Sequence, residues 1–409
     1  MTERLYYADS YLRAFEATVV ARSDDETRLY LDQTAFYPTS GGQQFDLGSL
    51  GLANGTQGPA QVVDVVDEGE RIAHVFSAPA PAELTTGARV VGHVDWARRF
   101  DHMQQHTGQH LLSALFQEML GFATLSVHFG VDASTLDLET DALSLEQIRS
   151  VEARANASVF ENRSVSASVE RDGGAAGLRK ASARSGPLRV VSIDELDRSA
   201  CGGTHVARTG EIGPILLRKL DRVRKNVRVE FVCGARATRR ARADYELLGE
   251  LSTLFATSLD RVPETARLRL TELAEQASLL RAARETLDDY RARELYARAS
   301  EQPARDAGLI LAVERLQAGS LQELRGLAQR YAALPRAVLI ATLASTHSVL
   351  LASSESSGID AGALLKAALS AAGGRGGGSA RLAQGTVADA GALDAVLRAL
   401  ATRLGPIEP

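Results

Sequence analysis

Three histidines, His102, His106 and His110, recur at four-residue steps in "DHMQQHTGQHLLSALF", an otherwise amphipathic stretch. The whole chain has only 8 His and 2 Cys. On a helix, residues i and i+4 lie one above the other on the same face. Two imidazoles placed that way can converge on one metal ion, so His-x3-His is a first half-site for zinc. A second half-site lies in "SACGGTHVARTG", where Cys201 and His205 form a Cys-x3-His in a glycine-rich loop. Its neighbours Gly202, Gly203 and Thr204 are not core-strand residues, which argues against Cys201 as a core cysteine. A thiolate and an imidazole close together on a turn complete a four-donor Zn²⁺ set. Three histidines compete for two positions in the first half-site. His106 and His110 are followed directly by "LLSALF", which can anchor that turn in the core, and they are taken as the ligands. His102, beside Asp101, is left to support the ligands or to contact phosphate.

The elements that must position these groups come from a chain of 409 residues, 45% hydrophobic and 24% charged. That is the balance of a soluble globular protein of two or three domains. No window approaches a membrane span, and "MTERLYYADSYLRAF" has neither the basic nor the apolar region of a leader. The expectation is a cytoplasmic protein with no membrane partner. Two cysteines cannot staple a chain of this size, and a cytosolic Cys is more often buried, catalytic or metal-bound. The net charge of −5 argues weakly against nucleic acid. Residues 171–242 nevertheless hold 17 Lys/Arg against 7 Asp/Glu. This segment is either a solvated charged face or a footprint for a phosphate backbone.

Along the chain the pattern predicts an α+β multidomain protein. Residues 1–95 alternate short apolar runs with turn signals and read as a small β-barrel-like unit carrying a glycine-rich motif. Residues 96–236 read as a mixed α/β unit holding the metal site, with helices over Arg98–Leu120 and Ser144–Glu161. In "NVRVEFVCG" the residues Val227, Val229, Phe231 and Cys233 share one face, making Cys233 a small buried hydrophobe. Residues 237–303 are a helical hairpin or coiled-coil arm, with Ala266, Leu270, Leu273, Ala277 and Leu280 in 4-3 spacing. Residues 304–409 alternate strand and helix, which predicts an α/β domain with a largely parallel sheet. A glycine-rich loop, "GGRGGGSARLAQG", interrupts this last region.

"HTGQHLL" together with "CGGTH" resembles the editing domain of alanyl-tRNA synthetases and of their freestanding relatives, the AlaX-type alanyl-tRNA editing proteins. "LDQTAFYPTSGGQQFDLG" is similar to the glycine-rich motif of the same family, and "GGRGGGSARLAQG" to the signature of its C-terminal DHHA1 domain. The likeness covers nearly the whole chain in matching order, with no class II synthetase core before Met1, so the chain resembles a long freestanding editing protein. One departure is Thr39, where the family often has Glu. The resemblance implies Zn²⁺ on His106, His110, Cys201 and His205, a tRNA(Ala) partner mischarged with serine or glycine, and hydrolysis of its aminoacyl ester. A homodimer through the helical arm or the C-terminal domain is a further expectation.

The chemistry has a physical logic. A pocket built for alanine's methyl group cannot strongly exclude serine or glycine, so a second hydrolytic site must correct the error. Thr34 is the candidate for reading the serine hydroxyl, and Gln43 for hydrogen bonding near the ester or the terminal adenosine. Gly41 and Gly42 would let backbone approach the ligand, with Thr204 beside them among the substrate-binding residues. Arg375 and Arg381 of the tail would meet RNA. Two rivals stand against an esterase. A DHH-type phosphoesterase would need Asp-His-His triplets, which the chain lacks, "DHM" at Asp101 being a near miss. A non-catalytic tRNA-binding protein suits a closed four-ligand structural zinc.

Overall fold

The computed structural model describes residues 1–55, 58–170, 177–180, 187–302 and 308–407. The chain divides into two compact units, Met1–Leu251 and Ser252–Pro409.

The first unit opens with an antiparallel seven-stranded sheet. In spatial order its strands are Ala60–Val62, Gly48–Leu52, Arg89–Val94, Ala14–Arg22, Arg28–Leu31, Ile72–Val75 and Asp64–Asp67. The two outermost strands are consecutive in the chain, with Val63 alone between them. The sheet must therefore curl until its edges approach, which makes it barrel-like. Alternate residues face inward, and Val19, Leu29, Leu31, Leu50, Ile72 and Val90 share one core.

Helix α1 (Trp96–Leu120) follows. The Asp95 side chain accepts from the Arg98 N–H at its start, and Gly121, in the left-handed region at φ 74°, ends it. The amphipathic reading of α1 needs correction, because every residue from His102 to Phe116 is buried. A helix covered all round belongs to a core. Met103, Leu111, Leu112 and Leu115 pack against the antiparallel sheet Thr124–Phe129, Ser134–Leu138, Asn226–Cys233 and Ile215–Val223. At Gly108 an added Cβ would lie 2.3 Å from Cys233 Sγ, so glycine permits the close approach. Cys233 is fully buried, as the alternation of its strand requires. Buried amides on α1 are satisfied by neighbours: Gln105 exchanges two 3.0 Å hydrogen bonds with the Cys233 backbone. Arg99 pairs with Asp46 at 2.5 Å, both side chains wholly inaccessible, and also donates to the carbonyls of Ser10 and Ala35. A buried charge is tolerated only with its partner in place. This pair therefore ties the start of α1 to the sheet before it.

Helix α2 (Leu145–Phe160) starts with the capping box Ser144/Gln147. The three-stranded antiparallel sheet Val165–Glu170, Leu188–Ile193 and Asp197–Ala200 leads directly into Cys201. Helix α3 (Gly234–Leu254) continues from the strand ending at Cys233.

The second unit begins with the 39-residue α4 (Val262–Ser300). On its 4-3 seam Leu270, Leu273 and Leu280 are 68%, 60% and 58% exposed, so the described residues leave the seam uncovered. Ala292 and Leu295 near its end pack with α5 (Leu321–Ala332). A five-stranded sheet, in the order Ile310–Leu316, Ala337–Leu343, Ser348–Ser353, Leu382–Thr386 and Arg375–Gly378, packs with α6 (Ala361–Ala371) and α7 (Ala390–Leu404). The largely parallel sheet expected here is not found. Only the first pair is parallel, and the other three pairs are antiparallel. The link from Leu343 to Ser348 is a short turn, and parallel pairing needs a crossover of a dozen residues or so. The glycine-rich tail is also corrected, from loop to β-hairpin. Added Cβ atoms at Gly376 and Gly385 would lie 2.5 and 2.2 Å from Leu369 Cδ1, so these glycines let α6 lie against the hairpin. Residues 303–307 and 408–409 of the expected arm and tail domain lie outside the described residues. No helix among the described residues is long and apolar enough to cross a membrane.

Candidate metal centre

Side chains from α1 and from the loop after Ala200 meet at one point. One donor atom each from His106, His110, Cys201 and His205 lies within 4.8 Å of all the others. Cys201 Sγ is 3.4 Å from His106 Nε2 and 3.3 Å from His205 Nε2. His102 sits one turn earlier on α1 and is not in the cluster.

Each imidazole is turned by a bond on its far side. His106 Nδ1–H donates to Gln43 Oε1 (2.9 Å), and His110 Nδ1–H to Asp197 Oδ2 (2.8 Å). His205 Nδ1 meets Thr107 Oγ1 at 3.1 Å. With Nδ1 turned outward, each Nε2 is directed toward the sulfur, where its lone pair can serve as a donor once any proton there has left. Such orientation by outer partners is how proteins prepare histidine ligands. Lone pairs gathered this way repel one another unless a cation lies between them, and this donor set fits a metal ion.

Electrostatics favour the same state. Burial alone would raise the Cys201 thiol, but the neighbouring imidazoles, His106 first and then His205, bring it well below its ordinary value, toward thiolate. Burial, with His106 next, pushes His205 down to about 3, leaving it neutral. Against burial, the bond to Asp197 and then Cys201 raise His110 to about 9. In the metal-free protein His110 therefore keeps a proton that a metal must displace. Metal affinity is expected to rise about tenfold per pH unit up to roughly pH 9 as that proton becomes easier to remove. Competition titrations against a chromophoric chelator at several pH values would measure this, and a flat affinity over the interval would contradict it.

The loop is built for close approach. An added Cβ at Gly203 would lie 2.1 Å from His106 Cε1. Arg189 Nη1 donates to the carbonyls of Cys201 (2.8 Å) and Gly203 (2.9 Å). Gln43 ties this loop to α1 and to the glycine-rich motif. Its Nε2 donates to Thr204 Oγ1 (2.7 Å), and its Oε1 also accepts from the Thr204 N–H (3.0 Å). Gly41 and Gly42, at φ 58° and 90°, form the tight turn between Ser40 and Gln43. Two successive positive φ values are the requirement of a type I′ turn. Thr39 accepts from the Phe45 N–H at 3.2 Å, so the departure at that position is accommodated.

The other expected residues stand elsewhere. Thr34 is wholly buried. Its hydroxyl donates to His74 Nε2 (2.8 Å), since His74 Nδ1–H donates to the Leu29 carbonyl, and it accepts from the Phe36 N–H. Arg381 pairs with Glu355 in the second unit, and Arg375 begins an edge strand there. Residues 171–176 and 181–186 of the basic segment lie outside the described residues. Many of its described arginines are neutralised: Arg179 by Asp197, Arg198 by Glu170, Arg228 by Asp137, Arg236 by Asp101. Asp197, Thr107 and Arg189 were not read from sequence. Asp197 carried a signal, because it lies two and four residues before Ser199 and Cys201, on the same side of a strand.

Residues 188–229 match the threonyl and alanyl tRNA synthetase second additional domain, residues 9–98 match tRNA synthetases class II (A), and residues 309–405 match the DHHA1 domain. The alanine–tRNA ligase of Pyrococcus abyssi is 30% identical over 398 residues, and that of Pyrococcus furiosus 32% identical over 399; each alignment takes in 95% of this chain and 42% of the relative. The chain is similar to alanine–tRNA ligases along nearly its whole length. It spans about two fifths of the length of these relatives. The second additional domain match contains Cys201 and His205, and the class II match contains the glycine-rich motif with Gln43. His106 and His110 lie between the two matches, on the helix that joins them in space. The alanine–tRNA ligase of Pyrobaculum neutrophilum is 35% identical over 290 residues, 68% of this chain and 32% of the relative.

Proposed function

We propose that this chain hydrolyses the ester of tRNA(Ala) mischarged with serine or glycine, with Zn²⁺ held by His106, His110, Cys201 and His205. The observation that carries the reading is the convergent three-imidazole, one-thiolate set in a unit matched to the second additional domain. Nitrogen and sulfur donors select zinc over harder ions. The 3.4 and 3.3 Å donor separations fit the roughly 3.3–3.8 Å edge of a tetrahedron built on zinc bonds of about 2.0–2.3 Å. Zinc held by these residues would supply Lewis-acid polarisation of the ester carbonyl.

The protein's own groups set selectivity. Gln43 spends both ends of its amide on His106 and Thr204, so it acts by holding the site's shape. The Thr204 hydroxyl accepts from Gln43 and keeps its own proton for donation, next to the metal ligands. To read a serine hydroxyl, Thr34 would have to give up its bond to His74, so Thr204 is the better placed of the two. Buried hydroxyls that pair with serine are left unpaired by alanine, which spares the correct ester. Gly41 and Gly42 stand exposed on the rim beside buried Gln43. Arg375, exposed on its strand, and Arg381, once released from Glu355, would contact RNA phosphate. The open seam on α4 supports a homodimer.

The test is ester loss from Ser-, Gly- and Ala-tRNA(Ala) with zinc-loaded protein. Seryl or glycyl ester should disappear at least about a hundredfold faster than alanyl ester, the discrimination a hydroxyl-reading or size-selecting site can reach. Four protein donors also suit a closed structural zinc in a protein that only binds tRNA. Equally slow loss of all three esters alongside tight tRNA binding would establish that second reading.

A further inference from the structure

A cavity of about 460 Å³ opens over the first two turns of α1. Trp96 and Phe100, with ring centres 5.4 Å apart, form its aromatic wall. Arg98, Arg236 and Arg239 also line it, against the single carboxylate of Asp101. Arg236 is committed to Asp101. Arg98 is held by the neutral oxygens of Phe45 and Gln44 and lies over the Phe45 ring, and among the described residues neither it nor exposed Arg239 has an ion pair. Two guanidinium charges are thus left without counter-charges beside an aromatic surface. The volume is that of a small-ligand site.

His102 links this cavity to the metal centre. It is 7% exposed, and it lines both the cavity and a narrow slot of about 10 Å³ that continues to Gln43, Gln105 and Phe129. Its Nδ1 is buried and has no hydrogen-bond partner. Burial, with the Arg98 charge next, holds its pKa at about 4, so the ring is neutral and offers one N–H and one lone pair. A buried polar atom is costly to leave unpaired, and such atoms in native proteins point to a missing partner. Gln43, across the slot, bonds His106. Along α1, His102 and His106 are about 6 Å apart, a distance within the reach of one nucleotide.

We propose that this cavity seats the nucleotide adjoining the reacting end of a single-stranded RNA 3′ terminus. Its base lies against Trp96, its phosphate between Arg98 and Arg239, and His102 hydrogen-bonds it as a positioning residue. The inference rests on the ester-hydrolase reading for the identity of the reacting end. The cavity chemistry, two unpaired guanidinium groups and an aromatic wall, is that of single-strand binding in general.

Trp96 is the chain's single tryptophan, so its fluorescence reports on this wall of the cavity, together with Arg13 and Tyr11, which pack against the same ring. The zinc-loaded protein is titrated with the unacylated trinucleotide CCA. A saturable change is expected, weakened about tenfold or more by Arg239→Glu, with the salt slope reduced by about 1. His102→Leu should weaken binding severalfold, and His102→Gln, which keeps hydrogen-bonding atoms, should restore most of it. In the ester assay the loss in Arg239→Glu should fall on KM rather than kcat. Hydrolysis of the seryl ester without any Trp96 response to CCA would overturn the cavity assignment and leave the hydrolase reading standing. An Arg239-dependent Trp96 response without ester hydrolysis would uphold the cavity and sink the hydrolase reading. A response indifferent to both Arg239 and His102 would also overturn the assignment.

Discussion

Cys201→Ala is expected to weaken zinc binding by about two orders of magnitude and to abolish seryl-ester hydrolysis. Cys201 supplies the only sulfur of the set, and its thiolate is the one negatively charged donor. Four-donor zinc sites bind with apparent free energies on the order of 10–16 kcal/mol, so losing one donor in four removes about 3 kcal/mol. The remaining cluster would be three neutral or cationic imidazoles with nothing to offset the proton on His110. Zinc content after dialysis against a chelator, read beside deacylation rates, measures both effects on one sample. Cys201→Ser separates charge from shape, because it keeps a donor atom but presents a neutral hydroxyl. If Cys201→Ala kept full zinc and full activity, the four-donor assignment would fail. If it lost zinc but kept activity, zinc would be structural and the hydrolytic groups would have to lie elsewhere.

The second large effect is expected at a residue with no chemistry of its own. Gly203→Ala should lower zinc affinity by at least about tenfold, comparable to losing an outer partner of a ligand. The new Cβ would lie 2.1 Å from His106 Cε1, 2.4 Å from its Nδ1 and 2.9 Å from Gln43 Oε1. Either the ring or the loop must move, and the His106–Gln43 bond lies between them. Gly202→Ala is the matched control, since its Cβ would meet nothing nearer than Tyr7 Oη at 3.7 Å. Overpacking of this kind costs about 1–3 kcal/mol in folding as well, so thermal unfolding of both variants should accompany the zinc titration. Equal zinc affinity in the two variants would mean that the loop relaxes freely and that Gly203 is not needed for the approach.

The two half-sites were legible because each is local. His106 and His110 are related by one turn of a helix whose existence the apolar pattern already implied, and Cys201 and His205 share one turn-forming loop. The strand carrying Cys233 was legible for the same reason, a period of two over eight residues. The parallel sheet was misread because strand and helix runs alternate in both parallel and mixed folds. What distinguishes them is the length of each connection, and the Leu343–Ser348 link is too short for a parallel crossover. The amphipathic reading of α1 failed differently. Polar residues such as Gln104, Gln105 and Gln109 looked like a solvent face, yet they are buried and bonded to backbone or to Ser113. Polarity in sequence does not reveal whether a partner waits across the core.

By itself, the sequence determined the donor types, their pairing into two half-sites, the glycine-rich turn and the succession of strands and helices. Those features depend on neighbours within a turn or a strand. Tertiary structure decided that the half-sites meet, that Gln43 is a strut between loop and helix, and that Asp197 and Thr107 aim the imidazoles. Gln43 reaches Thr204 across 161 residues of chain, and His110 reaches Asp197 across 87. Contacts that distant are set by how α1 packs in one hydrophobic core and is tied to the preceding sheet region by the buried Arg99–Asp46 pair. No local periodicity encodes that placement.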